Sequence, residues 1–392
     1  MDRTPLTGQD RAMRPYLLAL CVASILGSGV RAQEMRFFYP APPASAVEVL
    51  KDQPYGSLQM DVYRPRSSDG KMLPALVFLN LATGADRSNT FYKSWAQIAA
   101  AQGLVAILPD LREDSYEKDL DSVLAHLSTN GCSIGVDRDR IAVYAGSGNV
   151  YRSLPLLQSP ARTAVKSAVM FYGAATVPAF RRDLPVLLVR AGLDRPGVNA
   201  ALITLATQAT KDNAPVTLLN YPGGHHGFEI VDDEDATRDV IDSTIAYVKR
   251  TTLATYQASL QRGLAESAAA AYVASGDFAR AATSYADLVK KKPDDARLGL
   301  SYGEALLGSS QFAAACAQLG RLKGKGLGAR DLGLPAARAC MQNGDADVAL
   351  AWLKSIPQRY LPQEVEKDPI FAPLQARPEF AALFKSGGSE KD

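Results

Sequence analysis

Residues 141–150 read Ile-Ala-Val-Tyr-Ala-Gly-Ser-Gly-Asn-Val, an apolar run that ends on small residues around Ser147. A helix-compatible stretch follows directly. A strand that turns sharply into a helix pushes the side chain at the turn outward, and small neighbours let the strand and the helix approach each other. The pattern therefore makes Ser147 a candidate nucleophile, and the plain alternative is an ordinary Gly-Ser-Gly loop.

A serine hydroxyl attacks a carbonyl carbon at neutral pH only when a base accepts its proton and a carboxylate orients that base. The chain offers three histidines as bases, namely His126, His225 and His226. His126 falls off the apolar stripe of a helical pattern, so we expect it to be solvated. His225 and His226 lie together in a glycine-rich loop after an apolar run, which favours a functional role over that of surface-loop histidines.

Apolar runs of strand length alternate with helical patterns between about residues 46 and 250, which predicts a mainly parallel sheet with helices on both faces. The predicted strands are 58–63, 75–80, 104–108, 141–144, 168–171, 186–190 and 216–219. Their high Val, Ile and Leu content is typical of strands that are buried on both faces. The predicted helices between them include 90–102, 118–127 and 200–211.

Several ordered motifs in this segment resemble those of the dienelactone-hydrolase-like and carboxylesterase α/β-hydrolases. These motifs are Met60-Asp-Val-Tyr-Arg-Pro65, Phe171-Tyr-Gly173, Gly192-Leu-Asp194 and Gly224-His-His-Gly-Phe228. The resemblance implies an α/β-hydrolase fold for a domain over residues 33–252. It also implies ester hydrolysis without a cofactor, through a serine, an acid and a histidine in that chain order.

That chain order makes Ser147 the nucleophile and Asp194 the acid, and the family pattern His-Gly-Phe falls on His226 as the base. Asp194 follows a late predicted strand, from whose carboxyl end it could reach the histidine loop. A turn or helix-capping role would also suit an aspartate there. Asp110 precedes the serine and is therefore the weaker candidate. His225 is expected to line the site as a neighbour of the base.

The resemblance further implies an oxyanion hole built from two backbone N–H groups. One belongs to Gly148, and the other comes from the loop after the third strand. Relatives carry His-Gly in that loop, whereas this chain has Asn80 and Leu81 followed by Ala82. Since a backbone N–H does not depend on the side chain, Leu81 or Ala82 could donate, with Asn80 lining the site. Loss of one such donor weakens transition-state stabilisation by about 2.7–4 kcal/mol.

The sequence beyond residue 250 is alanine-rich and helical. Three triplets that begin at 276, 310 and 344 recur every 34 residues, and an alanine follows each at Ala281, Ala315 and Ala349. This period and these small residues resemble tetratricopeptide (TPR) repeats, in which small side chains lie where paired helices touch. We predict an all-α TPR-like domain over residues 263–392, capped by residues 368–380. Its surface could serve a protein or peptide partner, or it could be a packing or dimer contact.

The N-terminus has the pattern of a secretory signal peptide over residues 1–32. Arg11 and Arg14 precede the apolar run 15–30, and small residues occupy the −3 and −1 positions before the predicted cleavage. The run is shorter than the roughly 20 residues that a membrane span needs. Met13 could be the true start. We therefore expect a periplasmic or secreted protein without a membrane span.

Composition excludes several classes of protein. The chain is 47% apolar and 21% charged with a net charge of +2, so nothing points to a nucleic-acid partner. It contains no Cys-x-x-Cys or His-Glu-x-x-His motif, and we predict neither a metal nor a cofactor. Cys316 and Cys340 could pair, but we expect Cys132, Cys316 and Cys340 to be buried thiols.

The resulting prediction is an exported serine hydrolase that cleaves small-molecule esters through an acyl-enzyme. One alternative is a catalytically impaired hydrolase fold that acts with its repeats as a binding module. Ala145 and Asn149 favour it, because they replace the outer glycines of the usual Gly-x-Ser-x-Gly motif. Ala145 is still small, whereas Asn149 is expected to crowd the start of the helix. The second alternative is a serine peptidase.

Overall fold

The computed structural model describes residues 36–68, 70–81 and 86–385. Within these ranges the chain forms an eight-stranded sheet followed by a series of helices. The predicted signal peptide lies outside the described residues. No helix in the described ranges combines the length and the apolar content needed to cross a membrane.

The strands of the sheet follow the order β1-β2-β4-β3-β5-β6-β7-β8. Strands β1 and β2 run antiparallel to their neighbours, and the remaining pairs are parallel. Their bounds are β1 Val47–Tyr55, β2 Leu58–Pro65, β3 Leu73–Leu79, β4 Val105–Pro109, β5 Val136–Gly146, β6 Val165–Phe171, β7 Val186–Ala191 and β8 Val216–Tyr221. All the predicted strands are present, on the mainly parallel sheet of an α/β-hydrolase fold. The edge strand β1 was not predicted, because its polar Lys51, Asp52 and Gln53 interrupt the apolar pattern.

Helices cover both faces of the sheet. One face packs against α2 (Tyr116–Asn130), α3 (Gly148–Leu157) and α4 (Pro196–Lys211), whereas the other packs against α1 (Thr90–Ala101), α5 (Phe228–Val231) and α6 (Asp235–Thr251). The side chains of strand β3 alternate between the two faces of the sheet. Val77 and Leu79 enter the first core, and Leu76 and Phe78 enter the second, since successive side chains of a strand point to opposite faces.

The later helices form a third apolar core of their own. They are α7 Ala254–Ala274, α8 Phe278–Lys291, α9 Ala296–Gly308, α10 Phe312–Gly320, α11 Ala329–Gln342 and α12 Ala346–Ser355, followed by the short α13 Ala372–Gln375 and α14 Pro378–Ala381. From α7 to α12 each helix packs against the next. The recurring triplets lead into α8, α10 and α12, and the alanine after each is fully buried. From Phe37 onward the described chain is one compact unit.

Two expectations about the cysteines were wrong. Cys316 on α10 and Cys340 on α11 form a disulfide, because the packing of these two helices brings their Cα atoms to 4.7 Å. Cys132 is exposed rather than buried. The predicted start of the repeat domain at residue 263 falls inside α7, which is continuous from Ala254 to Ala274.

The predicted cap packs onto the end of this helical series. Phe371, Leu374 and Phe380 are buried in the third core. The carboxylate of Asp368 accepts a bond from the Arg338 guanidinium at 3.0 Å, which ties the segment to α11. The segment therefore contributes apolar side chains to the third core at the end of the helical series.

Candidate active site

Ser147 occupies a sharp turn between β5 and α3. Its backbone angles are φ 55° and ψ −128°, a conformation that non-glycine residues rarely adopt and that persists only where the surroundings enforce it. The Ser147 N–H donates to the carbonyl of Phe171 at 2.9 Å, and its carbonyl accepts from Val150 N at 3.0 Å. These bonds fix the turn between the ends of β5 and β6.

The structure brings Ser147, His226 and Asp194 together in one hydrogen-bonded chain. Oγ of Ser147 lies 2.8 Å from Nε2 of His226, and Nδ1 of His226 lies 2.7 Å from Oδ2 of Asp194. The Asp194 side chain is 1% exposed, whereas the His226 side chain is 33% exposed. The other carboxylate oxygen of Asp194 accepts from Arg195 N at 2.7 Å. The geometry is that of a nucleophile, a base and the acid that orients the base.

Two glycines of the predicted motifs allow the approaches on which this chain depends. A Cβ at Gly173 would lie 2.5 Å from the Ser147 carbonyl oxygen, and one at Gly192 would lie 2.1 Å from the carbonyl oxygen of Pro222. Both distances are impossible for a side chain. Gly173 thus lets the end of β6 touch the serine turn, and Gly192 lets the acid loop touch the histidine loop. Both glycines can be read from the sequence, but their contacts cannot be predicted from it, because the contacting residues are distant in the chain.

The predicted oxyanion hole is only partly within the described residues. Gly148 begins α3 and is exposed, so its N–H lies at the amino end of a helix next to the nucleophile. Leu81 follows β3, and its side chain is half-buried against the core. The buried Asn80 side chain donates to the carbonyl of Pro109 at 3.3 Å and so ties the ends of β3 and β4 together. Ala82 lies outside the described residues.

Asn149 does not crowd the serine turn as expected. Its side chain is buried, and its amide donates to the hydroxyl of Tyr92 on α1 at 3.1 Å. It therefore extends toward α1. Ala145, at the other substituted position, is fully buried within β5. Both replacements of the usual glycines fit into the packing around the turn.

The competing candidates have other partners. The carboxylate of Asp110 accepts from Nε of Arg87 at 2.9 Å. Nδ1 of His225 lies 2.7 Å from a carboxylate oxygen of Asp232, with 52% of the His225 side chain exposed. His126 is half-buried on α2 rather than solvated, and burial lowers its pKa. Over the described ranges there is no group of three or more His, Cys, Asp or Glu residues that could hold a metal ion.

A buried carboxyl group, which the sequence motifs did not predict, lies beneath the histidine loop. Glu229 on α5 is completely buried, and burial raises its pKa to about 7. Its Oε1 accepts bonds from Trp95 Nε1 at 3.2 Å and from the hydroxyls of Tyr144 and Tyr172, both at 3.3 Å. The Tyr172 ring lies 4.7 Å, centroid to centroid, from the ring of His226. The signal in the sequence is the glutamate directly after His-Gly-Phe.

Comparison with known families finds one match within the chain. Residues 153–261 match the dienelactone hydrolase family. This segment contains Asp194 and His226, and it begins shortly after Ser147. No curated protein matches the sequence. The family similarity therefore covers two of the three residues of the hydrogen-bonded chain, Asp194 and His226.

The chain also resembles several solved structures, two of which are esterases. One is brefeldin A esterase, a bacterial homologue of human hormone-sensitive lipase, with 15% identity and a TM-score of 0.47 over 58% of this chain and 81% of that chain. Another is an esterase from the fungus Rhizomucor miehei, with 15% identity and a TM-score of 0.44 over 53% of this chain and 83% of the other. A third structure, DphMB1, has 16% identity and a TM-score of 0.47 over 57% of this chain and 89% of that chain.

Proposed function

We propose that the protein is an exported serine hydrolase that cleaves small-molecule carboxylic esters through a Ser147–His226–Asp194 triad. The observation that carries the proposal is the continuous hydrogen-bonded chain, at 2.8 Å from serine to histidine and 2.7 Å from histidine to aspartate. Three residues far apart in sequence meet in the order in which acyl-transfer enzymes use them. The family match over the acid and the base supports the same reading.

The proposed reaction has two half-steps. Oγ of Ser147 attacks the ester carbonyl carbon while Nε2 of His226 takes the hydroxyl proton, and the imidazolium then returns that proton to the departing alcohol. The acyl group is left on the serine. Water next attacks this acyl-enzyme with His226 as the base, and the carboxylic acid and the free serine are regenerated. Asp194 keeps His226 in the required tautomer, and the N–H groups of Gly148 and Leu81 bind the developing oxyanion.

Ester hydrolysis is favoured over the binding-module alternative because the substituted positions around the nucleophile are accommodated. Asn149 bonds to Tyr92 rather than obstructing the turn. A protein that had lost catalysis would not need the improbable backbone conformation of Ser147, which is costly to maintain. Export is supported by the signal-like N-terminus and by the Cys316–Cys340 disulfide, since disulfides persist mainly outside the cytosol.

Ester turnover and covalent labelling test the proposal together. Wild type should hydrolyse short acyl p-nitrophenyl esters and react with a fluorophosphonate probe, and Ser147→Ala should do neither. Ser153→Ala is a matched control, because Ser153 is a buried serine on α3, the helix that follows Ser147, and its hydroxyl donates to the carbonyl of Asn149. Folded wild type that neither turns over esters nor takes the label would favour the binding module. A peptide substrate cleaved far faster than any ester would favour the peptidase.

We also propose that the helices after Leu253 form a TPR-like helical repeat domain that offers a surface to a protein or peptide partner. The 34-residue recurrence, the buried alanines and the independent third core support this view. Because α7 is continuous from Ala254 to Ala274, a truncation should end at Leu253 rather than at residue 262. Unchanged ester turnover by that truncated protein would separate the two roles, whereas lost turnover would make the helices part of the catalytic unit.

A further inference from the structure

We propose that Glu229 is a positioning residue of the active site: its carboxyl group, through the hydroxyl of Tyr172, holds the Tyr172 ring against His226 and so fixes the imidazole between Ser147 and Asp194. The inference rests on the proposed function for its catalytic consequence. The geometry that carries it consists of two contacts made by one side chain. Tyr172 donates to Oε1 of Glu229 at 3.3 Å, and its ring centre lies 4.7 Å from that of His226.

Tyr172 stands at a strained point of the backbone. Its φ is 35°, in the left-handed region that non-glycine residues seldom adopt. It directly precedes Gly173, the residue that contacts the serine turn. Its N–H is held by the Val189 carbonyl at 2.8 Å. The strained residue thus places its ring under the catalytic base while its hydroxyl reaches the buried carboxyl group, as expected where strain serves a site.

Glu229 anchors the histidine loop on several elements at once. It lies three residues after His226, so movement of either is transmitted over a short stretch of chain. Trp95 on α1 and Tyr144 on β5 donate to the same oxygen as Tyr172. The Glu229 backbone carbonyl accepts from Phe38 N at 2.7 Å. The carboxyl group therefore connects α1, β5 and the end of β6 directly beneath the base.

The chemistry of this carboxyl group is unusual for a purely structural residue. It is completely buried, and Oε2 has no hydrogen-bond partner among the described residues. A glutamate is poorly suited to such a place, because burying an incompletely paired carboxyl group is unfavourable. An apolar residue of similar volume would pack there at lower free energy. Three donors nevertheless bond to Oε1, and one of the three is the tyrosine that contacts His226.

The test combines kinetics with NMR of the histidine ring. Tyr172→Phe keeps the ring but removes the hydroxyl, so the ring loses its link to Glu229. We expect kcat for a p-nitrophenyl ester to fall about 10-fold with KM within about twofold, because slight misplacement of a catalytic group slows the chemical step. The low-field proton on Nδ1 of His226 should move or broaden. With three histidines in the chain, ¹⁵N-histidine labelling makes this resonance tractable.

Four further variants separate positioning from general support of the fold. Glu229→Gln retains an acceptor for Tyr172 and should keep kcat well above that of Glu229→Met, which retains none. Tyr144→Phe removes a donor to the same oxygen but leaves the bond from Tyr172 to Glu229 in place, and its ring neighbours are Phe78, Trp95 and Phe171, so the His226 resonance should move less than in Tyr172→Phe. Tyr247→Phe removes a buried phenol hydroxyl on α6 and should retain wild-type kcat.

A His226 resonance and a kcat that both remain at wild-type values in Tyr172→Phe would overturn the proposal. So would equal displacement of the resonance by Tyr144→Phe and Tyr172→Phe, since that result would indicate general loosening of the core. The NMR readout does not require turnover. If wild type hydrolysed no ester and took no label, the proposed function would fail, and the response of His226 would still decide the role of Glu229.

Discussion

Asp194 is the most enclosed member of the proposed triad. One of its oxygens bonds to His226 and the other to the backbone N–H of Arg195. An asparagine there has nearly the same shape, but its amide can donate to Nδ1 and favour the wrong imidazole tautomer. We expect Asp194→Asn to lower kcat about 10³- to 10⁴-fold with little change in KM, measured with a p-nitrophenyl ester.

Asp110→Asn is the control for this prediction. Asp110 also follows a strand at the same edge of the sheet, but its carboxylate bonds to Arg87. We expect the variant to retain kcat within a few-fold. A loss in Asp110→Asn as large as that in Asp194→Asn would contradict the choice of acid.

Glu229 should make the stability of the fold depend on pH. Burial raises its pKa from the ordinary 4.5 to about 7 in the folded protein. The folded state therefore binds a proton that the unfolded state releases between these values. The associated stability is fully present below pH 4.5 and is lost as pH rises through 7. A shift of this size corresponds to about 3 kcal/mol. The tyrosines that surround the carboxyl group, Tyr92, Tyr144 and Tyr172, have raised pKa values and do not titrate in this window.

Urea unfolding at a series of pH values measures this effect. Relative to wild type, Glu229→Gln should gain about 3 kcal/mol of unfolding free energy between pH 4.5 and pH 8, because glutamine does not ionise. Glu364→Gln replaces an exposed carboxyl group, so its unfolding free energy should change with pH in the same way as that of wild type. If the unfolding free energy of Glu229→Gln also followed that of wild type at every pH, Glu229 would titrate in the folded protein as it does in the unfolded chain.

At the scale of elements, the serine turn depends on close contact between the ends of β5 and β6. A Cβ on residue 173 would lie 2.5 Å from the Ser147 carbonyl oxygen and 2.8 Å from Val150. Gly173→Ala should therefore displace the turn. We expect a loss of about 1–3 kcal/mol of stability and a fall in kcat of about 10-fold or more, measured by thermal unfolding and ester turnover.

Gly197→Ala provides the comparison. A Cβ at Gly197 would meet nothing within 4 Å, and the residue lies in the first turn of α4. Alanine is the better helix former by up to about 1 kcal/mol, so this variant should be neutral or slightly stabilised and fully active. Normal turnover in Gly173→Ala would show that the turn tolerates a shifted β6.

The three recurring triplets before α8, α10 and α12 share one backbone feature, although their side chains differ. The first residue of each triplet has a positive φ, at 77° for Gly276, 60° for Ser310 and 89° for Gly344. Only Ser310 bears a side chain there, and a left-handed conformation is unfavourable for such a residue. Ser310→Gly should raise the unfolding free energy by up to about 1 kcal/mol, seen as a higher melting temperature.

The neighbouring serine supplies the control for the repeat prediction. Ser309 has φ −88°, and its hydroxyl bonds to the Leu306 carbonyl at 3.0 Å. Ser309→Gly removes that bond and adds freedom to the unfolded chain, so it should be destabilising. Equal effects of the two substitutions would mean that the left-handed conformation is not what limits stability here.

These elements also indicate what a sequence can predict. Strands β3 to β7 are rich in apolar residues, so their positions could be read directly, whereas the polar edge strand β1 gave no comparable signal. Ser147 and His226 were identifiable because few residues of their type occur in such loops. Glu229 was not, because an isolated glutamate usually indicates a surface position. The roles of Gly173 and Gly192, and the pairing of Cys316 with Cys340, depend on distances between elements that sequence spacing does not contain.

At the scale of the whole molecule, the sheet and the helices after Leu253 have separate apolar cores but a continuous connection. The Gln257 side chain on α7 donates to the carbonyls of Lys166 on β6 and Thr251 on α6, at 2.9 and 2.7 Å. The guanidinium of Arg250 lies 5.7 Å from the rings of both Tyr247 and Tyr256. The beginning of α7 is thus fastened to the hydrolase fold, while its later part belongs to the helical core. Stability in one part can therefore be changed without direct contact with the active site.

The Cys316–Cys340 disulfide offers a way to test that independence. It joins α10 to α11 across 24 residues of sequence, and closing a loop of that size contributes about 3 kcal/mol by restricting the unfolded chain. Replacing both cysteines with alanine, or reducing the wild-type protein, should destabilise the helices after Leu253 by about that amount. Limited proteolysis should then cut first in this region while ester turnover by the Ser147 site remains unchanged. Cys132→Ser, at the exposed free thiol, should alter neither property. A loss of turnover that parallels the unfolding of the repeats would instead show that the hydrolase fold depends on them for its own stability.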